Sequence, residues 1–184
     1  MKKWEVAAIV IFFALFVIFF FSVKQPQPWE PEISKVGETV WIDEVGIRVD
    51  SVSVDERLFI DFRDGNRTIV KEYEAGAGWK FVILDMFIYV SKDANGSGTF
   101  WGRRIEDENG MTYHAYAYFL EDCPSGTPYL LLHHQYKGYI NLSPDEGEYI
   151  SIVYKMPVNA VPEKFHYWVV YNSHSRDGEV ILKK

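Results

Sequence analysis

An uncharged apolar segment, residues 6–23, constrains what this chain can fold into more than any other feature of the sequence. It contains no glycine and no proline, and Ser22 is its one polar residue. As an α-helix, which rises about 1.5 Å per residue, the segment and its flanks approach the roughly 30 Å of a bilayer's hydrocarbon core. We therefore predict an uncleaved signal anchor, a transmembrane helix within residues 1–24. Two alternatives stay open. A cleaved signal peptide usually has a shorter apolar region that ends at small residues, and a buried core helix usually carries a polar stripe.

The charges beside this segment predict its orientation. Lys2 and Lys3 precede it, whereas Lys24 alone follows it closely. The side with more lysine and arginine usually stays in the cytoplasm. We therefore expect a single-pass protein of the cell membrane, with its N-terminus in the cytoplasm and its C-terminal domain outside.

A proline-rich stretch follows the predicted anchor. Pro26, Pro28 and Pro31 each fix φ and favour an extended backbone. We expect residues 25–35 to act as a short spacer and residues 36–184 to form one extracytoplasmic domain, long enough to bury its own core.

The charge and the cysteine content limit the function of this domain. The chain has a formal net charge of −7, and Lys2, Lys3 and Lys24 all lie beside the anchor, so the exterior part is more acidic still. A nucleic-acid partner requires a basic face, and we therefore expect none. Cys123 is the only cysteine, so no disulfide can form within the chain. We expect Cys123 to be buried or, alternatively, to form an intermolecular bridge or a reactive thiol.

The exterior sequence carries the two-residue alternation of β-strands and no sustained helical repeat. Val45, Ile47 and Val49 alternate with polar or small residues, and residues 79–90 are apolar in both alternating sets apart from Lys80 and Asp85. Such a strand is expected to be covered on both faces. Asn109-Gly110 lies between strand-like runs and indicates a hairpin. Around eight to ten strands without helices between them predict an all-β domain, a sandwich or a barrel.

Several landmarks of the exterior sequence resemble a known family in their order. They are residues 46–54, residues 78–86, Ile105-x-Asp107-x-x-Gly110-x-x-Tyr113, Leu142-x-Pro144 and Val153-x-Lys155-Met156-Pro157. The family comprises prokaryotic secreted or membrane-anchored immunoglobulin-like β-sandwich domains of unknown function. The resemblance covers most of residues 36–171, and it departs from the family at Ser91 and in the long segment 114–139. It implies an immunoglobulin-like sandwich with an extracytoplasmic address, and it carries over no catalytic residues.

One loop has the spacing of a calcium site. Asp93, Asn95, Ser97 and Gly98 match the first, third, fifth and sixth positions of a calcium loop, whose oxygen ligands suit a hard cation. The final position, where a bidentate glutamate is expected, is Arg104. Calcium at Asp93, Asn95 and Ser97 is therefore a candidate beside an ordinary solvated turn, and we expect no other cofactor.

Two sequons lie in turn-like contexts. Asn66-Arg-Thr68 and Asn95-Gly-Ser97 could each accept an N-linked glycan. Asn66 and Asn95 are therefore candidate glycosylation sites.

Other chemistry finds less support in the residues. His133 and His134, with Cys123 and Met156, resemble the ligand set of a copper site, but adjacent histidines on a strand point to opposite faces. Motifs of the common hydrolases and nucleotide-binding enzymes are missing from the sequence. We therefore predict a protein that is not an enzyme, with a hydrolase as the least favoured alternative.

Tyrosine is abundant and suggests a binding surface. The alternation of residues 114–119 predicts that His114, Tyr116 and Tyr118 share one face, opposite Ala115, Ala117 and Phe119. Tyrosine suits a protein interface or stacking on a sugar, although the same rings also fill the interior of a sandwich. We expect an interaction module that recognises a protein at the cell envelope, with a glycan- or metal-ion-binding domain as the alternative.

Overall fold

A computed structural model describes residues 31–64, 67–120 and 139–183, which lie within the unit Pro31–Lys184. The predicted anchor lies outside these residues. In the described part of the chain, no helix is long and apolar enough to cross a membrane. All of its regular structure is β. The strands are β1 (Glu32–Lys35), β2 (Thr39–Ile42), β3 (Val45–Asp55), β4 (Arg57–Asp64), β5 (Arg67–Glu74), β6 (Trp79–Val90), β7 (Gly98–Asp107), β8 (Thr112–Leu120), β9 (Tyr139–Leu142), β10 (Gly147–Pro157), β11 (Pro162–Tyr171) and β12 (His174–Ile181).

Ten of the strands form two layers. The first layer contains β1, β12, β11, β7 and β9, and the second contains β8, β10, β6, β3 and β2. β8 belongs to both, because residues 112–114 pair with β7 and residues 115–120 pair with β10. Among the described strands, every pairing is antiparallel except that of β1 with β12. The prediction of an all-β sandwich is confirmed. The described residues form twelve strands instead of the predicted eight to ten, because short strands such as β1 and β2 leave little alternation to recognise.

The core lies between the layers. β6 contributes its even-numbered side chains, from Val82 to Val90, and these pack against Phe100, Phe165 and Tyr167 of the first layer. Tyr167 is fully buried. Its ring packs against Gly178, where a Cβ would lie only 2.2 Å from the ring, so that a larger residue would not fit. The layers are therefore joined by large aromatic rings fitted against aliphatic side chains and glycine.

A β-bulge shifts the alternation of β3. Val49 pairs with Met86, but the next outward pair is Ser51 with Asp85, so Asp50 is the extra residue. Before the bulge, the odd-numbered residues of β3 point into the core. After the bulge, the even-numbered Val52 points into the core instead. The bulge thereby brings Ser51 to the outer face of the second layer, opposite Asp85.

The turn between β7 and β8 confirms the hairpin predicted at Asn109-Gly110. Gly110 has a φ of 78°. The Asp107 carboxylate accepts hydrogen bonds from the amides of Asn109 and Met111, each at 2.9 Å, and from the Tyr113 hydroxyl at 3.0 Å. Burial alone would raise the pKa of Asp107, but these hydrogen bonds outweigh burial and hold the pKa below its usual value.

The hairpin of β4 and β5 forms a separate two-stranded sheet. Leu58 and Tyr73 pack against Phe81, Ala117 and Val153, on the outer face of the second layer. A second, smaller apolar cluster therefore lies outside the sandwich, under this hairpin.

Candidate functional site

The outer face of β2, β3, β6 and β10 is organised in rows that run across the strands. The first row joins Trp41, Gly46, Tyr89 and Gly147. The Trp41 indole lies over Gly46, where a Cβ would be 3.2 Å from three ring atoms, and it meets the Tyr89 ring edge to face at 6.2 Å. The Tyr89 hydroxyl donates to Asp145 Oδ1 at 2.8 Å, and this hydrogen bond, aided by burial and by the carboxylate charge, raises the pKa of Tyr89.

The second row joins Arg48, Phe87 and Tyr149. The rings of Phe87 and Tyr149 lie 4.6 Å apart between centroids, and the Arg48 guanidinium carbon lies 5.6 Å from the Phe87 centroid. Arg48 also forms an ion pair with Asp50. Gly147 leaves space for the Phe87 ring, since a Cβ there would lie 2.7 Å from Phe87 Cζ. Both glycines of the first row thus allow large flat rings to lie close to the sheet.

The third row is polar. Asp85 lies between Ser51 of β3 and Ser151 of β10. The Ser51 hydroxyl donates to Asp85 Oδ2 at 2.6 Å, and the Ser151 hydroxyl donates to Oδ1 at 2.7 Å. We call these three residues the acceptor row.

The rows below the acceptor row are mostly apolar and covered at the β6 and β10 positions, whereas Ser53 and Asp55 at the β3 positions are polar and exposed. Ile83 and Val153 pair across β6 and β10, and Phe81 follows along β6. Leu58 and Tyr73 of the hairpin pack on them, so that Phe81 is only 1% exposed. We call this the covered half of the outer face.

The rows above it remain open to solvent. Trp41 is 50% exposed and Tyr149 is 48% exposed, whereas Phe87 and Tyr89 are half-buried among their neighbours. We call the uncovered part of this outer face the open half, and we define it by the large side chains of the first two rows together with the acceptor row. Its members are Trp41, Arg48, Ser51, Asp85, Phe87, Tyr89, Tyr149 and Ser151.

The predicted stripe of His114, Tyr116 and Tyr118 does not form a single face. Val153 pairs with Ala117 and the next residue, Tyr154, pairs with Ala115, so Tyr116 is the extra residue of a bulge. Tyr116 packs beside the Phe81 cluster, with ring centroids 5.5 Å apart, whereas Tyr118 is buried in the main core. Its hydroxyl donates to the Gly102 carbonyl oxygen at 2.6 Å. The expectation of one shared face was wrong because an extra residue reverses the alternation, and His114 alone of the three is exposed.

The predicted calcium loop is a turn between β6 and β7. Asp93, Asn95 and Ser97 are all exposed there. The Asn95 amide donates to the Tyr171 hydroxyl at 2.9 Å, and the Asp93 amide donates to Ser91 Oγ at 3.3 Å. These contacts fix the turn to the sandwich, and calcium binding stays a prediction.

The remaining predicted residues divide between described and undescribed parts. Asn95 is exposed, as a glycan acceptor must be, whereas Asn66 lies outside the described residues, as do Cys123, His133 and His134. Within residues 31–64, 67–120 and 139–183, no three side chains of His, Cys, Asp or Glu gather as a metal site would require.

The open half was not predicted from the sequence. Its four aromatic residues come from three strands, and none of them had been singled out as a site residue. The sequence held part of the signal. Asp85 lies within a mostly apolar strand, Gly46 lies within β3, and Gly147 is the first residue of β10. Cross-strand register, which the sequence does not display, was needed to place them together.

Comparisons with known proteins concern the fold. No protein-family model matches the sequence, and no curated protein matches it. The chain is similar to a solved structure, an uncharacterised β-sandwich protein from Clostridium difficile 630, with a TM-score of 0.50 and 12% sequence identity. That similarity covers 86% of this chain and 100% of the other. A family 123 glycoside hydrolase from Clostridium perfringens matches with a TM-score of only 0.28 and 15% identity, over 55% of this chain and 21% of the hydrolase. The first similarity supports a β-sandwich, and the second is too weak to bear on fold or chemistry.

Proposed function

We propose that this protein is a membrane-anchored interaction module that recognises a protein partner at the cell envelope through the open half of its outer face. Residues 1–24 would anchor it with the N-terminus in the cytoplasm, residues 25–35 would be the spacer, and residues 36–184 would form the exterior domain. In this proposal the sandwich is immunoglobulin-like, the cell is prokaryotic and the domain is not an enzyme.

One observation carries the proposal, namely the difference between the two halves of one sheet face. The covered half is buried by the chain's own hairpin, whereas the open half leaves Trp41 and Tyr149 exposed beside the half-buried rings of Phe87 and Tyr89. Tyrosine, tryptophan and arginine are the side chains enriched where proteins bind one another. Flat rings held on a rigid sheet lose little conformational entropy when a partner arrives.

A glycan is the second candidate ligand. Its support is the Trp41 indole, which lies over Gly46 and leaves half of its surface exposed. An exposed indole offers an apolar plane on which a sugar ring can stack.

Crosslinking in living cells tests the binding surface. A photo-crosslinking amino acid at Trp41 or Tyr149 should capture a discrete protein partner. The same group at Met111, which is 61% exposed in the turn after β7, serves as the control and should capture nothing comparable. Equal capture from Met111 would contradict a binding role for the open half.

Thiol labelling tests the location. In a variant with Cys123→Ser and Met111→Cys, the new thiol lies in an exposed turn. A membrane-impermeant maleimide should then label intact cells as strongly as lysed ones. Labelling only after lysis would overturn the proposed exterior location, whatever partner the crosslinking finds.

A further inference from the structure

The acceptor row points to the chemistry of the partner, if the proposed function holds. Each serine hydroxyl has a single hydrogen, and the hydroxyls of Ser51 and Ser151 both donate theirs to Asp85. What remains toward solvent is therefore acceptor only, the lone pairs of two hydroxyls and of a carboxylate. A ligand that binds here must bring hydrogen-bond donors.

The carboxylate charge of Asp85 also lacks a counter-ion. Among the described residues, Asp43, Asp50 and Asp177 each pair with an arginine, whereas Asp85, like Asp107 and Asp145, has no lysine, arginine or histidine within 4.0 Å. Asp85 is half-buried, so its charge is screened less than that of a fully exposed carboxylate. A donor that also carries positive charge would satisfy both its hydrogen-bonding capacity and its charge.

The rings beside the acceptor row accept cations on their faces. Phe87 and Tyr149 lie one row away, about 7 Å along the strands. Arg48 already lies over one ring of this surface, 5.6 Å from the Phe87 centroid. The same arrangement recurs on the first layer, where Arg103 lies 5.0 Å from the Trp168 centroid. A cationic side chain at Asp85 would therefore have aromatic rings beside it.

We propose that the partner is a protein segment rich in arginine, and that a guanidinium group binds the acceptor row with its flank against Phe87 and Tyr149. Arginine fits better than lysine, because its planar fork can bond to a carboxylate through two N–H groups while it stacks on a ring. The formal net charge of −7 favours the approach of such a partner.

The test is a binding titration with a defined probe. The full chain in a non-ionic detergent is titrated by calorimetry with a short peptide of alternating arginine and glycine. Peptides with lysine or glutamate in place of arginine are the comparators, together with a neutral oligosaccharide. We expect the arginine peptide to bind most tightly, the lysine peptide more weakly, and the glutamate peptide and the sugar not at all.

Two matched variants separate a site from general electrostatics. Asp85→Asn should weaken binding of the arginine peptide about tenfold. Asp177→Asn removes the same charge from the first layer and should change the dissociation constant less than about twofold. Equal losses from the two variants would show that only overall charge matters and would overturn the proposal.

A third variant distinguishes binding from folding. Ser151→Ala releases one of the donors that occupy Asp85 but also removes one acceptor from the row, and it should weaken arginine binding less than Asp85→Asn does. If Ser151→Ala weakens binding as much as Asp85→Asn, the row acts by holding the sheet together, and the proposal is wrong. Tighter binding of the oligosaccharide, or no binding of the arginine peptide, also overturns it. The crosslinking from Trp41 is independent of these outcomes and tests the proposed function separately.

Discussion

The covered half and the open half of one outer face are built on the same strands, yet they carry different side chains. Under the hairpin lie Ile83, Val153 and Phe81, which have no polar atom in their side chains. In the open half the large residues are Trp41 and Tyr149 with their neighbours, most of which have a polar tip. Residues without polar groups are stable where the chain itself removes water, and amphipathic rings tolerate water until a partner comes. The difference therefore separates a surface made for folding from one suited to binding.

The largest expected effect comes from removing the Phe81 ring from the covered half. Phe81→Ala should lower the free energy of unfolding by about 3–5 kcal/mol, because it leaves a cavity between the hairpin and the sheet. Urea unfolding measures the loss. Phe59→Ala is the matched control, since Phe59 lies on the hairpin that covers Phe81 but is itself 59% exposed, and it should cost less than about 1 kcal/mol. Similar losses from the two variants would mean that the hairpin does not bury this face.

Much of the fold in this comparison could be predicted, because alternation is a local property. The runs at β3 and β10 alternate with a period of two, the run at β6 is apolar in both alternating sets, and each became a strand of the second layer. The bulges at Asp50 and Tyr116 could not be predicted, since one extra residue leaves no trace in composition. These bulges decide that Ser51 faces Asp85 and that Tyr116 leaves the face of Tyr118.

The site was less predictable than the fold, because it depends on register. The first row brings together four residues from four strands, and no two of those strands are adjacent in the chain except β2 and β3. The hydrophobic pattern says which face a residue takes, but a shift of two residues along a strand preserves that pattern and changes every neighbour. Alternation therefore predicts the face of the sheet on which most residues lie, but it does not predict which residues become neighbours across the strands.

A smaller effect is expected when a glycine of the first row, beside the rings of the open half, gains a side chain. Gly147→Ala should destabilise the protein by about 1–2 kcal/mol, because the new Cβ would lie 2.7 Å from Phe87 Cζ and must displace the ring. Gly46→Ala should cost less, since its closest approach to the Trp41 ring is 3.2 Å. Chemical denaturation ranks the two, and NMR shifts of the ring protons report the displacement. The reverse ranking would contradict the close packing of Phe87 against Gly147.

Truncating an open ring should barely affect folding. Trp41→Ala is expected to change the free energy of unfolding by less than about 1 kcal/mol, because half of the side chain is already in water. The same variant should weaken partner capture from a crosslinker at Tyr149. A thermal melt and the crosslinking yield, measured on one preparation, would separate the two effects. A large loss of stability would place Trp41 with the covered half and weaken the contrast.

The smallest expected effect is a pH dependence at the edge of the open half. The hydrogen bond from Tyr89 to Asp145, together with burial and the carboxylate charge, raises the pKa of Tyr89. Because the pKa of Tyr89 is higher in the folded than in the unfolded protein, its protonated hydroxyl stabilises the fold. This stabilisation is complete below the pKa of an ordinary tyrosine, about 10, and is lost as the pH rises through the pKa of Tyr89 in the folded protein. The ultraviolet titration of the wild type minus that of Tyr89→Phe isolates this phenol, and its midpoint should lie above about 10. Asp145→Asn should lower that midpoint, because the amide lacks the negative charge. An unchanged midpoint in Asp145→Asn would mean that the carboxylate does not hold the ring, and that the position of Tyr89 depends on Trp41 and Phe87 alone.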